Sequence, residues 1–250
     1  MKKNYKKLII FLLIINVSGI FILIFSNYIN KNKNKPAYYL NGLPVYNANA
    51  IYAYDVSSPE KAYAASRYVF IAKINNIDRT EYENKQEIET GLFSKKTVTD
   101  PVTIYNISVI KNIKGNLITN EEIELKQFGG INEDNKSYTF VENGNFLEVD
   151  GYYLFLTGAD TDGGLIEVTN PQRIIYLGSN LEKIKEIENG KILENSNLSK
   201  SEKNKYQKIY EYFSVNVDDI LEKDNKNDGP ILTNISKYDI CYQNNNCDTN

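Results

Sequence analysis

The longest apolar stretch lies at the start of the chain. Leu8 to Ile29 (LIIFLLIINVSGIFILIFSNYI) carries no charge, and Lys2, Lys3, Lys6 and Lys7 precede it. A helix of that length spans about 33 Å, enough for a hydrocarbon core of about 30 Å. A lone span in lipid must satisfy its own backbone groups, so it is a helix. A cleaved signal peptide has a shorter apolar core and ends on small residues. The run therefore predicts an uncleaved signal-anchor over residues 1–30, inserted through residues 8–29. Secretion after signal cleavage is the alternative. Lysines stand on both sides of the span, with more before it. The positive-inside rule then puts the N-terminus in the cytoplasm and the body outside the cell membrane, single-pass.

Beyond the anchor, residues 31–56 read as a juxtamembrane linker, basic at KNKNK and tyrosine-rich afterwards. Ser58-Pro59-Glu60 is a helix start, with a capping hydroxyl, Pro at the first helical position and an acid in the first turn. A helix from Pro59 to about Arg67 follows. The pattern then changes to strands. Tyr68–Ile74 (YVFIAKI) is a β-branched and aromatic run. Val102–Ile110 alternates, with Tyr105, Ile107 and Val109 on one side. Glu122–Phe128 has period two, and Gly129-Gly130 is expected to end it. Tyr152–Leu156 (YYLFL) is continuously apolar, as a strand buried on both faces would be. Leu165–Val168 and Arg173–Leu177 complete five or six strands with turns between them, the signature of a small barrel or sandwich.

Residues 181–223 form a helical appendix. Asn180 caps a helix over Leu181–Glu188, with Gly190 just past its end. A second helix starts near Ser199 or Ser201. In it Tyr206, Ile209, Tyr210, Phe213, Val217, Ile220 and Leu221 fall on one stripe. Residues 224–250 are polar and Asn-rich, and read as a flexible tail.

Composition narrows the chemistry. The 250 residues include no His, no Trp and two Cys. No Ser-His-Asp or Cys-His pair can form within one copy, and His-dependent zinc sites are excluded. The net charge is −3; removing the first thirty residues leaves 25 basic and 32 acidic ones, a net −7. An acidic body gives no reason to expect nucleic acid as a partner. Neither a metal nor a cofactor is expected. Asp160-Thr-Asp162-Gly163-Gly164 offers two carboxylates to a cation, but its residue types are those a β-turn demands. Asp224–Gly229 half-matches a calcium loop and fails where a Glu is required, at Ile235. Carboxylate-only hydrolysis stays open in principle, yet no pair stands out among the 32 acids. Cys241 and Cys247 enclose YQNNN and would oxidise to a small-loop disulfide outside the cytoplasm.

The order of these motifs resembles a known plan. A short helix leads into YVFIAKI, a long insertion follows, and then come VTIYNISVIKNIKG, IELKQFGG, GYYLFLTG and NPQRIIYLG. Residues 57–180 are thus similar to an OB-fold-like domain of uncharacterised exported Gram-positive bacterial proteins, and to the wider netrin/tissue-inhibitor-of-metalloproteinase superfamily. The resemblance implies a small OB-like β-barrel with a short leading helix; with the readings above, the chain is expected to be mainly β, with a C-terminal helical appendix and an N-terminal transmembrane helix. Metalloproteinase inhibitors of that superfamily chelate metal through an N-terminal Cys. The first Cys here is Cys241, so that activity is not implied. The expectation is a membrane-anchored, extracytoplasmic, non-catalytic protein that binds a protein or peptide at the cell surface. The alternatives are a cell-wall hydrolase using carboxylates and a structural or assembly subunit of an envelope complex.

Overall fold

The structure, a computed structural model, describes residues 35–49, 59–91, 94–142, 144–167, 174–214 and 234–247. It divides into two units, Met1–Tyr46 and Asn47–Asn250. The apolar run Leu8–Ile29, expected to be an anchor, lies outside the described residues. Among the described residues no helix is long and apolar enough to cross a membrane.

The first unit contributes an antiparallel hairpin of β1 (Tyr38–Leu40) and the start of β2 (Leu43–Ala48), in register Leu40↔Leu43 and Tyr38↔Val45. Asn41 and Gly42 make the turn with φ of 51° and 79°. Both central residues of such a tight turn need positive φ, which Asn-Gly supplies. The segment expected as a linker, residues 31–56, thus contains a hairpin turned at Asn41-Gly42.

The second unit is mainly β. Its strands are β3 (Tyr68–Gly91), β4 (Ser94–Lys114), β5 (Glu122–Ile131), β6 (Tyr138–Val141), β7 (Tyr152–Ala159), β8 (Leu165–Glu167) and β9 (Ile174–Gly178). Strands β3, β4 and β5 form an antiparallel meander. Strand β7 returns to pair with β3, and β8 pairs with β7. A parallel contact of β8 with β5, Leu125↔Leu165 and Lys126↔Ile166, closes the ring. The closure is short, so the ring is uneven. Strand β6 extends β5 at Gly129–Ile131, and β9 continues along β7 at Tyr152–Phe155.

Two cores follow from alternation along the strands. Phe70, Ile74, Tyr105, Ile107, Leu125 and Phe155 fill the ring, where Phe70 and Phe155 stack with centroids 5.4 Å apart. The opposite faces of β3 and β7 (Val69, Ile71, Leu154, Leu156) pack against helices. These are α1 (Pro59–Ala65), α2 (Leu181–Glu188) and α3 (Lys200–Ser214), with a 3₁₀ turn (Lys191–Glu194) between the last two. Covered on both faces, YYLFL is a continuous apolar run, and YVFIAKI is broken only at Lys73, which pairs with Asp150.

The helices begin where their caps dictate. Asn180 Oδ1 accepts from the Glu182 amide at 2.9 Å, and Gly190 leaves the end of α2 at φ 73°. Ser199 and Glu202 cap α3 reciprocally, the Ser199 amide donating to Glu202 and the Glu202 amide to Ser199 Oγ. Tyr206 and Ile209 of the predicted stripe are buried, with Phe213 packed beside them. Val217, Ile220 and Leu221 lie outside the described residues.

Two expectations need correction. Gly129-Gly130 does not end β5, which runs on to Ile131. The φ values are 119° and 148°, and an added Cβ would meet Phe140 at 2.8 Å or Thr103 Oγ1 at 2.6 Å. The glycines let β5 pass tightly between β4 and β6, where Thr103 Oγ1 donates to the Gly129 carbonyl at 2.6 Å. Within the segment read as a flexible tail, residues 234–247 are seated on the strand ring. The Ile118 amide donates to the Tyr238 carbonyl, the Ile240 amide to the Asn116 carbonyl, and the Lys237 amide to the Gly163 carbonyl. Backbone pairing, which residue type does not announce, holds this segment despite its polar composition.

Candidate binding cleft

Beyond the ring, β3 and β4 continue as a two-stranded arm, the long insertion of the sequence. It carries exposed apolar side chains at Tyr82, Ile88 and Val98. The register shifts between β3 and β4 follow a rule. From Ile74 onward, each of the four shifts advances β3 one residue more than β4, at Ile74/Asn76, Ile77/Arg79, Glu83/Gln86 and Glu89/Gly91. The extra residues are bulges, and all belong to β3; β4 runs unbulged from Lys95 to Ile107.

A cleft of about 450 Å³ follows the β4 side of the arm. One wall is Lys96–Pro101. The other is the β5–β6 turn with the start of β6, at Asn132–Asp134, Ser137 and Thr139. Successive strand residues point to opposite faces. A cleft lined by six consecutive residues therefore runs along the backbone edge rather than over one face. A smaller hollow of about 300 Å³ adjoins it, sharing Asp100, Pro101 and Thr139 and reaching Phe128 and Val141. Thr99 Oγ1 donates across the cleft to Glu133 at 3.2 Å, and Asn84 donates to Asp100 at 3.0 Å. Burial, and then the charges of Glu133 and Asp134, push the Tyr82 phenol above its ordinary pKa.

The neighbouring outer face of the sheet is a ladder of ion pairs. Arg79 reaches Glu124 at 2.7 Å and also holds Glu81 and Asp78. Lys126 reaches Asp160 at 2.9 Å and Glu83 at 3.4 Å. Burial lowers the Lys126 pKa, but Asp160 and Glu83 outweigh it and hold the ammonium above its usual value. Ile104 lies between Arg79 and Lys126 in register and is fully buried, though it is a member of neither core. Long cationic stems flanking an isoleucine can shield it while their charged heads stay in water. Acids outnumber bases on this face, consistent with the acidic body.

The structure separates the other candidates. Asp160 is a turn residue, its Oδ1 accepting from the amides of Asp162 and Gly164 at 3.0 and 2.7 Å. Asp162 is exposed beside it. No group of three or more acids or cysteines able to hold a metal occurs among the described residues. Cys241 and Cys247 form a disulfide across α4 (Ile240–Gln243), with Cα atoms 4.8 Å apart. They lie at the end of the seated C-terminal segment and not in the cleft. Asp224–Gly229 is outside the described residues. Sequence reasoning missed the cleft itself. Its only linear trace is Pro101, a residue with no N–H, standing one position before β4 begins to pair with β5 at Val102.

No family model matches this chain, and no curated protein is significantly similar to it in sequence.

Proposed function

We propose that this is a membrane-anchored, extracytoplasmic, non-catalytic binding protein whose OB-like barrel takes a protein or peptide at the cleft beside the β3–β4 arm. The OB-like reading is supported by the strand connections: a three-strand meander, a fourth strand returned to the first, and a fifth closing in parallel on the third. Barrels of that kind bind on the face of their second and third strands and on neighbouring loops. Those loops include the connection between the first two strands, which here is the β3–β4 arm beside the cleft. The anchor rests on the uncharged run Leu8–Ile29 behind four lysines. The single observation that carries the binding role is the cleft along the β4 edge.

The test is capture from native envelope membranes with the full chain and with a Thr97→Arg/Thr139→Arg variant, which fills the cleft from both walls. A protein retained by the natural chain and lost by the variant, at equal thermal stability, is the expected result. Equal capture by both, or capture by neither, contradicts the proposal.

A further inference from the structure

We infer that the cleft receives a cationic peptide in extended conformation, which adds as a strand to β4 between Lys96 and Asp100. The inference rests on the binding role proposed above and names its mode and partner class.

Three observations lead to it. First, this edge carries no strand among the described residues. Strand β4 pairs with β3 on one side, and its pairing with β5 on the other begins only at Val102. Such an edge presents a row of backbone donors and acceptors, a template for another strand. Second, the two edges of the arm differ. Along the arm, bulges interrupt β3 at Glu83/Gln86, opposite the Asp100–Val98 stretch, and again at Glu89/Gly91, which twists and blunts its edge, whereas β4 is regular over the same stretch. A regular ladder can form on β4 alone. Third, the walls beside that edge are acidic. Asp100, Glu133 and Asp134 face the cleft against the single base Lys96. Opposite charges across an interface set register and exclude wrong partners, so the added strand carries Lys or Arg at alternate positions. Five residues of edge accept a segment of about 16 Å.

The test uses the full chain and three fluorescein-labelled heptapeptides read by anisotropy: alternating Lys-Val, alternating Glu-Val, and Lys-Val with alternate backbone amides methylated. The Lys-Val peptide should bind, and the Glu-Val peptide should not. Methylation removes the ladder donors and should weaken binding by about tenfold or more. The Asp100→Asn/Glu133→Gln/Asp134→Asn variant should weaken Lys-Val binding by a similar factor, about tenfold, and flatten its salt dependence. All three positions are exposed, so the variant should fold. Equal binding of Lys-Val and Glu-Val, or no binding of Lys-Val, overturns the inference. So does undiminished binding of the methylated peptide. If a membrane protein is still captured through the cleft while these peptides fail, the inference falls and the binding role stands.

Discussion

The phenol oxygen of Tyr68 accepts a hydrogen bond from the backbone amide of Ser236 at 2.8 Å, although 168 positions separate the two residues. Tyr68 begins β3, the first strand of the ring, and Ser236 lies near the start of the seated C-terminal segment. Ser236 Oγ then donates to the Gly163 carbonyl at 2.9 Å, in the β7–β8 turn. Both residues are fully buried. This buried pair adds side-chain fastening to the backbone bonds that seat the C-terminal segment on the ring.

Tyr68→Phe keeps the ring and leaves a buried amide without its acceptor. The expected loss is about 1–3 kcal/mol of unfolding free energy, measured by urea denaturation. Burial raises the Tyr68 pKa to about 12, so the unfolded chain releases this proton first. The natural protein should therefore lose stability as pH rises from about 10 toward 12, and Tyr68→Phe should lose less over that window.

Lys114 behaves in the opposite sense. Its ammonium donates to the carbonyls of Tyr63 and Ala64 at 3.0 and 3.2 Å, at the end of α1, and lies over the Tyr63 ring. Burial, and secondarily the charge of Arg67, lower its pKa to about 8. The unfolded chain holds this proton to higher pH than the folded one. The Lys114 contribution to stability should thus rise between pH 8 and about 10. Melting curves of Lys114→Met across that range should lack the rise; a parallel curve would contradict the assignment.

Gly130→Ala tests the tight passage of β5. The new methyl would meet Thr103 Oγ1, at a φ that L-residues rarely adopt. A destabilisation of about 1–3 kcal/mol is expected from strain and overpacking. Gly42→Ala has open space around it and bears on turn strain alone, so its cost should be smaller.

The disulfide links location to structure. Alkylation followed by peptide mass analysis of the protein from intact cells should find Cys241 and Cys247 joined. Free thiols at both positions would argue for a cytoplasmic body. Replacing both with Ser should cost up to about 2 kcal/mol, the chain-entropy value for so short a loop. The effect should be read as faster hydrogen exchange over residues 234–247.

Much of the fold could be read in advance, for local reasons. Asn180 and Gly190 delimit α2 because caps act within one turn of the chain. The apolar run YYLFL announces β7 because both its faces are covered. The arm escaped because it lacks a buried face, so its residues show little apolar alternation. The seated C-terminal segment escaped because backbone amides and carbonyls hold it, and every residue type carries those. The cleft was least legible. Thr99 and Glu133 stand 34 positions apart, and an open strand edge is defined by the neighbour it lacks.

The most direct measurement places a photo-crosslinking amino acid at Thr97, inside the cleft, in the full chain expressed in its native cells. A matched protein carries it at Val149, which is 49% exposed on a distant turn. Light should yield one discrete protein or peptide adduct from Thr97 and none from Val149. No adduct at Thr97, or the same adduct from both positions, would contradict the account.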